Sequence, residues 1–214
     1  MKRTTAFLLA LLLVAGCCFA LSGCGKTADE RAFEAARATP VEGIRPTAHG
    51  AGYWFALEGA DEPGGINQPI WQIIDWVFYR TAGDLVDAAP DVFTGRVKEI
   101  SFAVVDDTAG TGLNRLLYTL YTVEVTETCK GSARGTVAVG MPGGIGVRLE
   151  EQDEIRRDAG LRPYVLANVE LDVGETYLFC TRKNGDRYDH FGMWQFVFPS
   201  DSDAAAVIRR VCEG

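Results

Sequence analysis

Between Asp91 and Val105 the apolar residues change parity partway along the run. Phe93 and Val97 hold odd positions, then Ile100, Phe102 and Val104 hold even ones. A regular pleat sends alternate side chains to opposite faces, so an unbroken strand here would put half of these groups into water. One extra residue near Lys98-Glu99 removes the conflict, because a bulge shifts the register by one and bends the strand. A long, bent strand is what a small closed sheet needs.

The segments that follow read as its partners. From Tyr121 to Cys129, Tyr121, Val123 and Val125 alternate with Thr122, Glu124, Thr126 and Thr128, the pattern of a half-buried strand, and Lys130-Gly131 ends it. Val137, Val139 and Met141 repeat the alternation up to Pro142-Gly143-Gly144, and Tyr177 to Cys180 follows Val173-Gly174-Glu175. Asn184-Gly185 supplies the left-handed residues of a tight hairpin, with Trp194, Phe196 and Phe198 as one more alternating strand beyond it. Pro69 to Arg80 fits a helix through Trp71, Ile74 and Phe78 and fits a strand through Trp71, Ile73, Val77 and Tyr79, so its type stays open. Leu149 to Ala159 predicts a charged surface helix ending before Gly160, and Ser202 to Cys212 predicts a C-terminal helix that buries Val207, Ile208 and Val211. No βαβ rhythm and no internal repeat is present. The expected fold is mainly β, a small antiparallel barrel with peripheral helices and a closing C-terminal helix.

Asp91-Val92-Phe93-Thr94-Gly95-Arg96-Val97, Tyr121-Thr122-Val123-Glu124-Val125 running into Cys129-Lys130-Gly131, Pro142-Gly143-Gly144, and Leu171-Asp172-Val173-Gly174-Glu175-Thr176-Tyr177-Leu178-Phe179 together resemble secreted bacterial domains with an OB-like barrel. In outline these are similar to the netrin and metalloproteinase-inhibitor modules. The resemblance covers residues 80–198 and implies fold more than function. The inhibitor mechanism, in which a free N-terminal cysteine amine chelates the protease zinc, does not carry over to a chain whose N-terminal cysteine bears lipid and stands on a tether.

That cysteine comes from the leader. Met1-Lys2-Arg3, an apolar run from Ala6 to Ala15, and Leu21-Ser22-Gly23-Cys24 form a secretory signal whose end resembles a bacterial lipobox. The expected organisation is a signal peptide over 1–23, lipid such as palmitate on Cys24, a tether over 24–50 and a single domain over 51–214. As a spanning helix the run from Ala6 to Leu21 is too short, at 16 residues against the roughly 20 required. Val14-Ala15-Gly16-Cys17 is a second lipobox-like run, but cleavage there would leave Cys18-Phe19-Ala20-Leu21 at the new N-terminus. Within the tether, Asp29 to Ala38 predicts a short solvated helix ended by Pro40.

The full chain has 21 basic and 29 acidic residues and a net charge of -8; without residues 1–23 it loses Lys2 and Arg3 and no acid, leaving a net charge of -10. Such a surface is repelled by nucleic acid and by anionic headgroups, so no nucleic-acid partner is expected and the membrane is reached through lipid. An envelope protein or a glycan fits as partner.

Residue chemistry nominates little. His49 and His190 are the two histidines, too few for a histidine-based zinc site. Asp106-Asp107, Asp186 with Asp189, and Asp201 with Asp203 are close aspartate pairs, short of the six to eight oxygens that calcium takes. Ser132 lacks nucleophile-elbow spacing and reads as a turn residue; Gly143-Gly144-Ile145-Gly146 matches no phosphate-binding loop and reads as a flexible turn. Tyr53, Trp54, Trp71 and Trp76 suit either core or a stacking rim. No catalytic, cofactor or metal residue is assigned. Of Cys24, Cys129, Cys180 and Cys212, the first takes lipid; strand parity favours a Cys129 to Cys180 bridge over either pairing with Cys212. The functional expectation is a non-enzymatic binding module on the extracytoplasmic face of a bacterial membrane, contacting its ligand through the barrel face and the loops Asp106 to Arg115 and Gly143 to Arg148. The alternatives are an extracytoplasmic enzyme with a site scattered over loops and a structural accessory of an envelope complex.

Overall fold

The parity change resolves as a bulge. In the computed structural model, strand β2 (Asp91–Val105) pairs antiparallel with β3 (Leu116–Lys130), and the register steps from Val97 opposite Val123 to Glu99 opposite Thr122, which leaves Lys98 out of the ladder. Phe93 and Val97 thereby point into the main core, and Phe102 points with Leu117 into a smaller one, with Ile100 packed against both. Two further register shifts, at Val92/Phe93 and Thr94/Gly95, have no apolar signature because the opposing residues are Glu127, Thr128 and their neighbours. At Gly95 the two strands approach so closely that a Cβ would stand 2.4 Å from Val123 Cγ1.

The structure describes residues 26–44, 70–71, 78–105, 115–161, 164–165, 169–190 and 195–214. The further strands are β1 (Ile70–Trp71), β4 (Thr136–Pro142), β5 (Tyr164–Val165), β6 (Thr176–Asn184), β7 (Arg187–His190) and β8 (Val197–Pro199). The helices are α1 (Ala28–Ala38), α2 (Ala82–Ala88), α3 (Leu149–Asp158) and α4 (Asp203–Glu213). β1 and β5 form a separate parallel pair. The main sheet runs β2-β3-β4-β7-β6-β8, and β2 also pairs with β6, so five of its strands close a ring. All its pairings are antiparallel except β4 with β7. The expected antiparallel pairing holds for every pair of the main sheet but this one, since five strands in a ring cannot alternate direction throughout.

The ring encloses an aromatic and aliphatic core. Phe93 stacks on Phe179 at 5.3 Å between centroids and meets Tyr188 edge-on at 5.4 Å. Each such ring contributes about 1.5–3 kcal/mol by burial, with about 0.5–1.5 kcal/mol more from each pair. Tyr121, wholly buried, donates its hydroxyl to Val169 O at 3.0 Å and accepts from Leu171 N–H at 3.3 Å. On the outside, Val92, Leu178 and Cys180 join Leu85 and Val86 of α2, Ala205, Ile208 and Val211 of α4, and Phe198 in a second core. The predicted strand of Trp194, Phe196 and Phe198 divides, because Phe196 enters the ring and Phe198 the outer core. Trp194 lies outside the described residues, and the strand across the hairpin is β7, with Gly185 (φ 64°) and Asp186 as the turn.

Both predicted helices after residue 140 are present. Ser202 caps α4 by accepting from Ala205 N–H at 3.2 Å. Thr81 caps α2 in the same way, accepting from Asp84 N–H at 3.2 Å. The chain divides into two units, 1–35 and 36–214. In the first, Thr27 and Glu30 form a capping box at the start of α1, with Thr27 N–H donating to Glu30 Oε2 at 2.6 Å and Glu30 N–H to Thr27 Oγ1 at 3.1 Å. The second begins before the expected boundary at residue 51. Ala36 and Val41 are buried in the outer core, and Ile44 N–H donates to Val197 O at 3.0 Å. Residues 36–44 are therefore packed chain rather than tether.

Candidate functional site

Alternation along three ring strands assembles one outward constellation. Tyr121 and Val123 of β3, Val139 and Met141 of β4, and Tyr188 of β7 point inward. Their neighbours Tyr118 and Leu120, Ala138 and Gly140, and Arg187 and Asp189 must therefore share the opposite face. The register places Leu120 beside Gly140 and Gly140 beside Asp189. Arg187 Cζ lies over the Tyr118 ring, 4.9 Å from its centroid. Its Nε donates to Asp189 Oδ1 at 2.6 Å and its Nη2 to Asp189 Oδ2 at 3.1 Å, while Asn184 Nδ2 donates to the same Oδ2 at 2.7 Å. Burial works to lower the Arg187 pKa, but hydrogen bonding to Asp189 and its charge prevail, so the guanidinium is held above its ordinary value.

Gly140 makes the close approach possible. A Cβ there would meet Asp189 Oδ1 at 2.8 Å, Arg187 Cδ at 3.1 Å and Tyr118 Cδ1 at 3.2 Å. Beside the polar group runs an apolar strip in which Val105 and Leu120 pack against buried Leu116 and Tyr118. The Tyr118 ring is only 2 % exposed and the Arg187 and Asp189 side chains 14 % and 15 %, so it is the margins of the forked cation, the carboxylate and the amide that reach the surface and can hydrogen-bond amide or hydroxyl groups. They supply no nucleophile and base in contact. Asp189, named with Asp186 as a neighbouring acidic pair, is committed to Arg187 and Asn184. Sequence reasoning missed this group because its members come from four separate strands; the signal available was the outward parity of Arg187 and Asp189 around Tyr188.

The two loops nominated for contact differ. Of Asp106 to Arg115, only Arg115 is among the described residues. Gly143 to Arg148 is not a flexible turn. Gly143 (φ 97°) donates its N–H to Leu117 O and accepts from Thr119 Oγ1 at 2.8 Å. Buried Gln152 of α3 then clamps the loop, accepting from Ile145 N–H at 3.1 Å and donating to Ile145 O at 3.0 Å and to Val147 O. Arg148, with left-handed φ 53°, pairs with Glu151, donates to Ile100 O at 2.5 Å and lies over Phe102. Glycine content suggested adaptability; the amide of one glutamine removes it.

Cys24 lies outside the described residues. Cys129, Cys180 and Cys212 are free thiols gathered in the outer core. The expected Cys129 to Cys180 bridge meets a register obstacle. Val92 pairs with Cys180 on one side and Lys130 on the other, so β2 runs between the two cysteines. Two strand spacings amount to about 10 Å, beyond the ~7 Å limit for bridged Cα atoms. Strand parity misled because Cys129 is skipped by the ladder between Thr128 and Lys130. Cys212 of α4 packs against the same outer core as Cys129.

Among the other nominated residues, Ser132 is an exposed turn residue whose N–H donates to Asp91 Oδ1 at 2.8 Å. His190 ends β7 against the Phe196 ring at 4.9 Å. Asp201 is exposed and Asp203 opens α4. His49, Tyr53, Trp54, Trp76, Asp106 and Asp107 lie outside the described residues, as does the side chain of Trp71. Among the described residues no group of three or more His, Cys, Asp or Glu side chains is arranged to hold a metal ion, and no helix is long and apolar enough to cross a membrane. No protein-family model matches the chain, and no curated protein matches it.

Proposed function

We propose that the protein is an exported lipoprotein, anchored through lipid on Cys24 to the extracytoplasmic face of a bacterial membrane, whose domain binds an envelope glycan, peptide or protein without turning it over. The leader ending Leu21-Ser22-Gly23-Cys24 supports the anchor, and the acidic remainder of the chain supports a neutral or basic ligand in place of nucleic acid. For the domain we adopt an OB-like barrel. Three features favour it: a bulged first strand paired on both edges, a fifth ring strand returning parallel to the third, and a helix between the third and fourth. Such barrels bind extended ligands across the face of their second and third strands.

The observation that carries the binding reading is the Tyr118, Arg187, Asp189 and Asn184 group on that face, built around Gly140. The test uses protein without its leader, with Cys24 replaced by Ser, offered envelope glycan and peptide fractions and a panel of hydrolase substrates. Binding lost in Arg187→Gln, with the far-UV circular dichroism of the parent retained, supports the reading. Turnover abolished by one polar substitution replaces it with the enzyme alternative. For the anchor, Cys24→Ala is expected to stop signal removal and acyl labelling, and a variant still labelled and processed at the same bond refutes it.

A further inference from the structure

The second core brings together three cysteines from distant parts of the chain, and their placements are unequal. Cys180 sits in the middle of β6, fully buried. Cys129 is the extra residue of a bulge at the end of β3, and a bulge takes a side chain out of the strict alternation of its strand. Cys212 lies on the last turn of α4, on the same helical stripe as buried Ala205 and Ile208. That stripe faces the outer core and α4 packs against β3, so Cys212 and the bulged Cys129 both sit, partly exposed, at the edge of the same core.

We propose that Cys129 and Cys212 are a redox modification site, closing to a disulfide that staples the C-terminal helix to the bulged end of β3 and leaves Cys180 as a buried thiol beneath. The oxidant is a disulfide donor, either a small thiol's disulfide or that of an exchange protein. The Cys129 thiolate attacks one donor sulfur, the donor S–S bond breaks, and the departing sulfur takes a proton. The Cys212 thiolate then attacks Cys129 Sγ in the mixed disulfide and expels the second donor sulfur, which takes the other proton. Two thiols are oxidised by two electrons, and one donor disulfide becomes two thiols. The order of attack follows from the unequal acidity of the thiols. Hydrogen bonding from Cys212 holds the Cys129 thiol below its ordinary pKa, with help from Arg209 and against Glu127 and Glu213. The same bond raises Cys212, and burial raises Cys180 and keeps it a thiol.

The staple rests on the chain's own geometry; its formation in the cell also rests on the export proposed above. The test takes the full reduced chain, incubates it with glutathione disulfide, and maps it by non-reducing peptide mass spectrometry. Expected is a Cys129–Cys212 peptide pair, with Cys180 alkylated only after denaturation. Because the closed loop is long, roughly 80 residues, oxidation is expected to raise Tm by about 10 °C. That shift is abolished in Cys129→Ser and Cys212→Ser and kept in Cys180→Ala. A bridge to Cys180, a stable glutathione adduct on Cys129, or free Cys129 and Cys212 after oxidation overturns the proposal. Mapping the unaltered chain decides this even where a variant folds poorly. A bridge that forms in vitro but is absent from protein taken from cells supports the site and counts against export.

Discussion

Gln152→Met removes the clamp on the loop after β4 while nearly keeping side-chain volume. Gln152 is wholly buried on α3, and its amide serves Ile145 N–H, Ile145 O and Val147 O. Val147 is exposed and its carbonyl can return to water. Ile145 is buried, so its two backbone groups are left without partners, at about 1–3 kcal/mol each. Removing the need to desolvate the amide and burying a thioether return about 1 kcal/mol. The net expected loss is about 3 kcal/mol. With a urea slope of about 2 kcal/mol/M, the unfolding midpoint falls by about 1.5 M at unchanged slope. Hydrogen exchange gives a local readout, since the Ile145 amide is protected through Gln152 and loses that protection in the variant. A midpoint within 0.2 M of the parent, with the Ile145 amide still slow, refutes the clamp and returns the loop to the adaptable surface expected from its glycines.

Tyr121→Phe leaves Val169 O and Leu171 N–H without the hydroxyl they share and is expected to cost about 1–3 kcal/mol in urea unfolding. Burial raises the Tyr121 pKa, so its contribution is complete below the unfolded value of about 10 and is lost as pH rises further. Stability measured upward from pH 9 should fall in the parent and fall less in the variant; parallel curves contradict the assignment. Asp153→Ala deprives the fully buried Arg156 guanidinium of its carboxylate and is expected to cost about 3–5 kcal/mol, whereas a loss below 1 kcal/mol shows that the pair is dispensable. Gly131→Ala places a Cβ at φ 86° within 2.1 Å of Asp91 Oδ1, so the midpoint falls and the Ser132 amide exchanges faster. An unchanged exchange rate there refutes the contact.

The strands were legible because alternation is local. Tyr121, Val123 and Val125 declare their face without knowledge of any partner, and the parity change at Lys98 marks a bulge because only a shifted register keeps Phe93 and Phe102 both out of water. Caps are local too: Ser202 marks the start of α4, and Thr81-Ala82-Gly83-Asp84 carries the same kind of mark for α2. Ring closure left no trace in any one segment, since it depends on β2 pairing along both edges and on β7 returning beside β4. The two silent register shifts fall opposite alternating threonines and glutamates, where no hydrophobic penalty records a slip, and one of them sends Cys129 toward Cys212 instead of Cys180. Gln152, Asp153 and Arg156 read as a solvated helix face because charge is taken locally as a sign of water; the tertiary structure buries them by supplying backbone partners and an ion pair. The Tyr118, Arg187 and Asp189 group exists only once three strands share a face. Sequence determined the elements through short-range periodicity, and the tertiary structure decided the sites because their members meet only through long-range pairing.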